Sequence, residues 1–332
     1  MKASRKRYET RLLRDSVEKS PLLQSRNPVM RRLLESARLA SGSNATILIT
    51  GESGTGKSLL ARQIPLWSPR RTKSFSIIDC TRLSQHQNGS ALDAQSSATT
   101  IVEALVAGAE GGTIFLTRVD ELHPTLQSEL VRLVQERAIQ TAEGEKKINV
   151  RFIASSNCDL LAEVKAHRFR EDLFYSLNII SLYVPPLCER PTDILPLATG
   201  MLAAAAIRNH RGSLYLSPEA AAAMTLYRWP GNVRELRNAM EAAAVLCEGE
   251  TVTLATLPEA ISKNASGVIT PTLSTTSLEE MERQHILQVL AESTTLEQAA
   301  ATLGINVATL WRKRKRYNLD LTTGWRLKRS GP

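Results

Sequence analysis

Eight consecutive residues, Gly51, Glu52, Ser53, Gly54, Thr55, Gly56, Lys57 and Ser58, fit the pattern G-x-x-x-x-G-K-[ST]. Such a loop turns its backbone N–H groups inward around a polyphosphate. The glycines permit the tight turn, Lys57 can reach the β- and γ-phosphates, and the Ser58 hydroxyl can ligate Mg²⁺. All eight are therefore candidate nucleotide-binding residues, with ATP or ADP and Mg²⁺ as the expected ligands. The apolar run before them, residues 46–50, reads as a short buried strand, and residues 59–62 continue as a helix whose positive end faces the phosphates. Strand, loop and helix in that order separate this segment from a glycine-rich turn that binds nothing.

A loop of this kind needs a sheet to carry it. Apolar runs at 74–80, 113–116, 150–155 and 179–184 read as further strands, with helical periodicity before and between them at 29–39, 101–109 and 125–135. The alternation predicts an α/β fold with a doubly wound parallel sheet, whose ligands lie beyond the C-terminal strand ends. Asn157 falls at such an end. Pro185 and Pro186 close the sheet part, and residues 192–246 keep a helical period interrupted at Trp229, Pro230, Gly231 and Asn232. Residues 262–276, rich in Ser, Thr and Pro, read as a linker. Helices are then expected at 277–292, opened by a capping box, at 296–303 and at 307–317. Gly304 in the turn between the last two marks a helix-turn-helix.

Composition narrows the partners. The 332 residues hold 42 Lys/Arg against 33 Asp/Glu, a net charge of +9. Residues 306–332 alone hold eight Lys/Arg and one acid, about +7, which points to a polyanion. Cys80, Cys158, Cys188 and Cys247 form no C-x-x-C pair, so a reduced, cytoplasmic setting is expected, without a disulfide framework or zinc site. The longest small-apolar run, 197–207, is too short to span a bilayer, and no membrane partner is expected.

The P-loop is followed in order by Gly111-Gly112-Thr113-Ile114-Phe115-Leu116, Ala154-Ser155-Ser156-Asn157, Phe169-Arg170-Glu171-Asp172-Leu173, Pro185-Pro186-Leu187-Cys188-Glu189-Arg190 and Trp229-Pro230-Gly231-Asn232-Val233-Arg234-Glu235-Leu236. With these motifs the chain resembles the bacterial enhancer-binding proteins, the sigma-54-dependent activators of the NtrC type, from about residue 27 to 249. Residues 299–313 resemble their Fis-type DNA-binding domain. The resemblance implies an AAA+ P-loop NTPase sheet with an α-helical lid, plus a small all-α helix-turn-helix domain. The boundaries it suggests are a basic tail at 1–20, an α/β part at 21–187, a lid at 188–249, a linker at 250–276, the DNA-binding domain at 277–319 and a basic tail at 320–332. No receiver domain is expected ahead of the AAA+ part. In the roles it implies, Asn157 is the first sensor, Arg170 a finger reaching a neighbour's nucleotide, and Arg234 the second sensor on the lid. The plain alternatives are a strand-end turn for Asn157 and a helix cap for Arg234.

Four departures from the family pattern bear on function. Where members carry Asp-Glu after the third strand, to hold Mg²⁺ and activate water, this chain has Thr117 and Arg118. Asp120 and Glu121 come later, in what is the family's next turn; two extended residues displace a carboxylate by about 6–7 Å, so neither is expected to replace the lost pair. A cation in the water-activating position removes the base, so hydrolysis is expected to be weak or absent. The position of a second family arginine is Ser176. A family Asn on the second strand is Asp79 here, which predicts an Asp79–Arg118 ion pair, the alternative being that both reach solvent. The aromatic-bearing G-A-F-T-G-A contact loop is missing from the interval between Cys80 and Gly111. Activation of sigma-54 polymerase by the usual remodelling is therefore not expected.

At the C-terminal end, Asn306, Ala308 and Thr309 are placed near base edges, with Arg312, Lys313, Arg314 and Arg316 available to phosphates. Helix 277–292 would pair with its copy in a dimer, and a larger AAA+ ring is a further possibility. Three readings stay open for the whole: a nucleotide- and DNA-binding transcription regulator with impaired hydrolysis; an active ATPase that remodels a transcription complex using Asp120 or Glu121; and a subunit completing a related AAA+ protein's ring. RNA polymerase or such a relative would then be the protein partner.

Overall fold

The computed structural model describes residues 24–85, 109–141, 144–265, 282–283, 285–287, 289–290, 293 and 295–317, which fall into two compact units divided at Ile269/Thr270. The expected helix at 101–109 and the interval of the contact loop, 86–108, lie almost wholly outside them.

Unit one opens with α1 (Pro28–Ser41), entered through Asn27, whose side chain caps Val29 and Met30. There follow β1 (Ile47–Thr50), α2 (Lys57–Trp67), β2 (Phe75–Asp79), α3 (Cys80–Gln85), β3 (Thr113–Thr117), α4 (Pro124–Gln135), β4 (Ala138–Thr141), β5 (Gly144–Lys147), β6 (Arg151–Ser156), α5 (Leu160–Lys165), α6 (Glu171–Leu177) and β7 (Ile180–Tyr183). The five long-range strands pair in the order β2-β3-β6-β1-β7, all parallel. Their residues split by the two-residue period of a strand. Leu48, Ile114, Leu116, Phe152 and Ala154 face one helical layer, while Ile47, Ile49, Phe115 and Ile153 face α1 and α2 on the other. β1 sits between β6 and β7, so the P-loop leaves the middle of the sheet at its C-terminal edge.

The lid comprises α7 (Pro191–Arg208), β8 (Tyr215–Leu216), α8 (Pro218–Leu226), α9 (Asn232–Leu246), β9 (Thr251–Val252) and α10 (Glu259–Ala265). Its core centres on Trp229, 1% exposed, whose indole N–H donates to the Met224 carbonyl at 2.8 Å. Two details differ from the sequence reading. The helical period of 192–246 is broken by β8, which pairs with β9, and an antiparallel β4–β5 hairpin follows α4. β4 is half apolar (Ala138, Ile139) and β5 is Gly-Glu-Lys-Lys, so the hairpin has no apolar alternation to announce it.

In unit two, residues 282, 283, 285–287, 289 and 290 are helical, followed by α11 (Leu296–Thr302) and α12 (Val307–Arg316). Ile286, Val289, Leu290, Ala299, Ala300 and Leu310 form its core, and Gly304 turns between α11 and α12 at φ 65°.

Candidate functional site

The P-loop is held by its carbonyls. Lys57 Nζ donates to Gly51 O at 2.6 Å and Glu52 O at 2.7 Å, and Asn232 Nδ2 donates to Ser53 O at 3.1 Å. The Val233 N–H donates to Gly54 O at 3.0 Å, and buried Arg190 donates to Thr55 O at 2.7 Å. Five successive carbonyls are thus engaged; of the loop's N–H groups, that of Thr55 donates to Glu52 O at 3.4 Å, and the others suit an anion. Gly54 has φ 82°, and a Cβ there would lie 2.3 Å from the Gly231 carbonyl, so the lid packs directly on the loop backbone.

The N-terminus of α9 clasps this loop. Asn232 is fully buried at φ 52°; its Oδ1 accepts from the Leu187 N–H at 2.7 Å and its Nδ2 reaches Glu52 Oε2 at 2.9 Å. Arg234 donates to Ser53 Oγ at 2.9 Å. Ser58, the second residue of α2, is exposed. Burial lowers the Lys57 pKa to about 8, with Asp120 opposing, Arg234 adding to the shift and Glu52 opposing. These contacts bring Lys57, Arg234 and the P-loop backbone together. Asn232 and Arg190 belong to the same construction without having been assigned a role from sequence. The signal for Asn232 was a left-handed-tolerant residue in a Pro-Gly turn.

The side facing Lys57 is built otherwise. Arg118 donates to both Asp79 oxygens, each at 2.6 Å, as the sequence predicts. Asp79 stands in register with Thr117 across β2 and β3. Partial burial would raise the Asp79 carboxyl pKa, but hydrogen bonds and charge from Arg118, with Thr81, outweigh it and hold the pKa below the usual value. Glu121 Oε2 accepts from Thr81 Oγ1 at 2.8 Å and lies 3.8 Å from Arg118.

Asp120 and Glu121 fall in a turn after β3, as expected: Arg118 is left-handed at φ 55°, and residues Val119–Glu121 form a 3-10 turn. Asp120 Oδ1 consequently accepts from the Asn157 N–H at 3.2 Å and acts electrostatically on Lys57. Asn157 thus stands beside Asp120 at the end of β6.

Arg170 caps α6, is paired with Asp172 at 2.8 and 3.0 Å, and donates to Ser128 at 3.2 Å. Ser176 is buried, accepting from Gln135 Nε2 at 2.7 Å and donating to Asp172 O at 2.6 Å. Gln127, also buried, accepts the Arg170 N–H and donates to the Leu122 and Arg168 carbonyls, tying the turn after β3 to the Arg170 segment. Only its polar type on the apolar face of α4 hinted at that task.

In unit two, Asn306 caps α12 through the Ala308 N–H, at 2.9 Å. Asn306, Ala308 and Arg312 are exposed and Thr309 is half-buried. Lys313 is paired with Glu282, which also accepts from Tyr317 Oη at 2.6 Å; the pairing occupies Lys313 in the free domain. Arg316 lies over the Tyr317 ring, its guanidinium carbon 5.7 Å from the centroid. Leu310 is buried, as expected, and Trp311 is 58% exposed.

A parallel sheet with a P-loop at its centre, an α-helical lid on that loop and a separate helix-turn-helix define the class: an ATPase-type fold joined to a DNA-binding domain. Residues 23–183 match the Sigma-54 interaction domain, 188–272 the AAA+ ATPase lid domain and 277–317 the bacterial regulatory protein Fis family. The chain belongs to the sigma-54-dependent transcriptional regulators. It is 42% identical over 304 residues to the alginate biosynthesis transcriptional regulatory protein AlgB of Pseudomonas putida, covering 90% of this chain and 67% of that protein. It is 36% identical over 330 residues to the transcriptional regulatory protein ZraR of Klebsiella oxytoca, covering 92% and 72%. Among solved structures it is similar to NtrX from Brucella abortus in complex with ATP, at a TM-score of 0.65 and 25% identity, covering 95% of this chain and 74% of that one. Among the described residues no helix is long and apolar enough to cross a membrane.

Proposed function

We propose that this regulator binds ATP or ADP and specific DNA, and that nucleotide occupancy organises its subunits with little or no hydrolysis. The observation that carries the reading is the Arg118–Asp79 pair, which fills the place where the family sets a water-activating carboxylate. The P-loop fits a polyphosphate: Gly51 to Ser58, with Lys57 and Arg234, would bind it. The metal is another matter. Ser58 could ligate Mg²⁺, but Thr117 and Arg118 offer it a hydroxyl and a cation, so the residues at the end of β3 do not fit the ion.

In the same proposal the protein is cytoplasmic, dimerises through 277–292 and does not remodel sigma-54 polymerase in the usual way. Asn306, Ala308, Thr309, Arg312, Lys313 and Arg316 contact DNA, which makes binding fall with salt. For Lys313, that contact requires exchanging Glu282 for a phosphate.

One observation favours a second reading. Asp120, turned back beside Asn157 and electrostatically coupled to Lys57, is where a substitute carboxylate for ATP turnover would stand. Nucleotide affinity and ATP turnover on the purified chain, with Lys57→Ala, Asp120→Asn and Glu121→Gln, separate the two. Tight binding without turnover supports the first; turnover lost in Asp120→Asn or Glu121→Gln establishes the second, with Arg170 then a finger for a neighbouring subunit.

A further inference from the structure

Resting on the proposed DNA-binding role, we infer that Val307 and Trp311 read thymine methyl groups in the major groove. Val307 is 39% exposed and Trp311 58% exposed, on the helix that carries Arg312, Arg314, Lys315 and Arg316. Residues four apart lie on one face of a helix, so the two form an apolar stripe among cations. Such a stripe suits a surface that is itself a polyanion with small apolar features. B-DNA offers one: the thymine C5-methyl is the apolar group exposed in its major groove.

Position on the helix agrees. Asn306 caps α12 and Val307 is its first residue, the end that meets base edges in helix-turn-helix complexes. Trp311 follows one turn later, about 6 Å along the axis. With a base rise of about 3.4 Å, the two side chains span about two base steps. Lys315 Nζ stands 5.5 Å from the Trp311 ring centroid, which orients the indole and leaves the ammonium beside the phosphate path. Leu310, the intervening apolar residue, is fully buried and takes no part.

The inference predicts thymines within two base steps of each other in each half-site, and sensitivity to their methyl groups. The full chain is used to select bound duplexes from a random library, and thymines in the best site are replaced singly by uracil, which removes only the methyl. Loss of one buried methyl is expected to weaken binding by about 4-fold at one or two positions per half-site. In Val307→Ala and Trp311→Ala that sensitivity should vanish at the matching position, with salt dependence retained. Because both side chains are exposed, unchanged helicity of the variants confirms the fold, and Trp311→Phe should keep part of the effect. Specific binding that tolerates uracil everywhere, or uracil sensitivity that persists in both alanine variants, overturns the inference while leaving the DNA-binding role intact. Selection that yields no preferred sequence overturns both.

Discussion

The P-loop and the end of β3, the two parts of the proposed nucleotide site, are built by different rules. On the binding side, five P-loop carbonyls are engaged by Lys57, Asn232, the Val233 N–H and Arg190, and each contact prepares the loop for an anion. At the end of β2 and β3, Arg118 donates to both oxygens of Asp79, so the two side chains satisfy one another. On the proposed reading, the fold keeps a ligand cradle while the place of the attacking machinery is taken by an ion pair, and cradle and chemistry each depend on their own residues.

The comparison can be broken from either side. Lys57→Ala should weaken nucleotide binding by about 10²-fold, through loss of a charged hydrogen bond, measured by equilibrium titration. Asn232→Ala should cost about tenfold in affinity and about 1–3 kcal/mol in stability, because the Leu187 N–H is left buried without its acceptor. Denaturant unfolding with and without ATP separates the two effects. Stability loss with unchanged affinity would show that the lid turn does not shape the loop.

Lys57 gives the pH dependence, tuned by the surrounding Asp120, Arg234 and Glu52. With a pKa near 8 in the nucleotide-free fold, it loses its proton as pH rises through that value, so affinity should fall about tenfold between pH 7 and 9. Stability without nucleotide should move the other way. The folded state binds fewer protons than the unfolded chain between about pH 8 and 10.5, so stability from this group rises across that window. The smallest effect is expected for Asp79→Asn: about 0.2–1 kcal/mol of stability, as for a partly exposed pair, and no change in nucleotide affinity. A large loss of affinity there would show that the two sides are one unit.

The P-loop and the sheet were legible in local sequence pattern, and the Arg118–Asp79 pair through the family resemblance, which set the two positions face to face. β2 and β3 are adjacent and parallel, and Asp79 falls opposite Thr117, one residue before Arg118. The turn holding Asp120 was expected, but its contact with the Asn157 N–H depends on a single left-handed residue, Arg118, and nothing in a non-glycine residue type announces that. The clasp of Asn232 on Glu52 joins positions 180 residues apart and depends on how the lid docks, which no window of sequence contains. The β4–β5 hairpin has no apolar alternation in its sequence, so its pairing left no periodic mark.

The separation of cradle from chemistry is tested most directly by steady-state ATP turnover at saturating, independently measured nucleotide occupancy. The wild-type chain is compared with a Thr117→Asp, Arg118→Glu, Asp79→Asn variant. With occupancy equal in both, the variant should gain about 10²–10⁴-fold in turnover, the range a positioned general base supplies. A wild-type chain that already turns over ATP as fast as the variant, through Asp120 or Glu121, would contradict it.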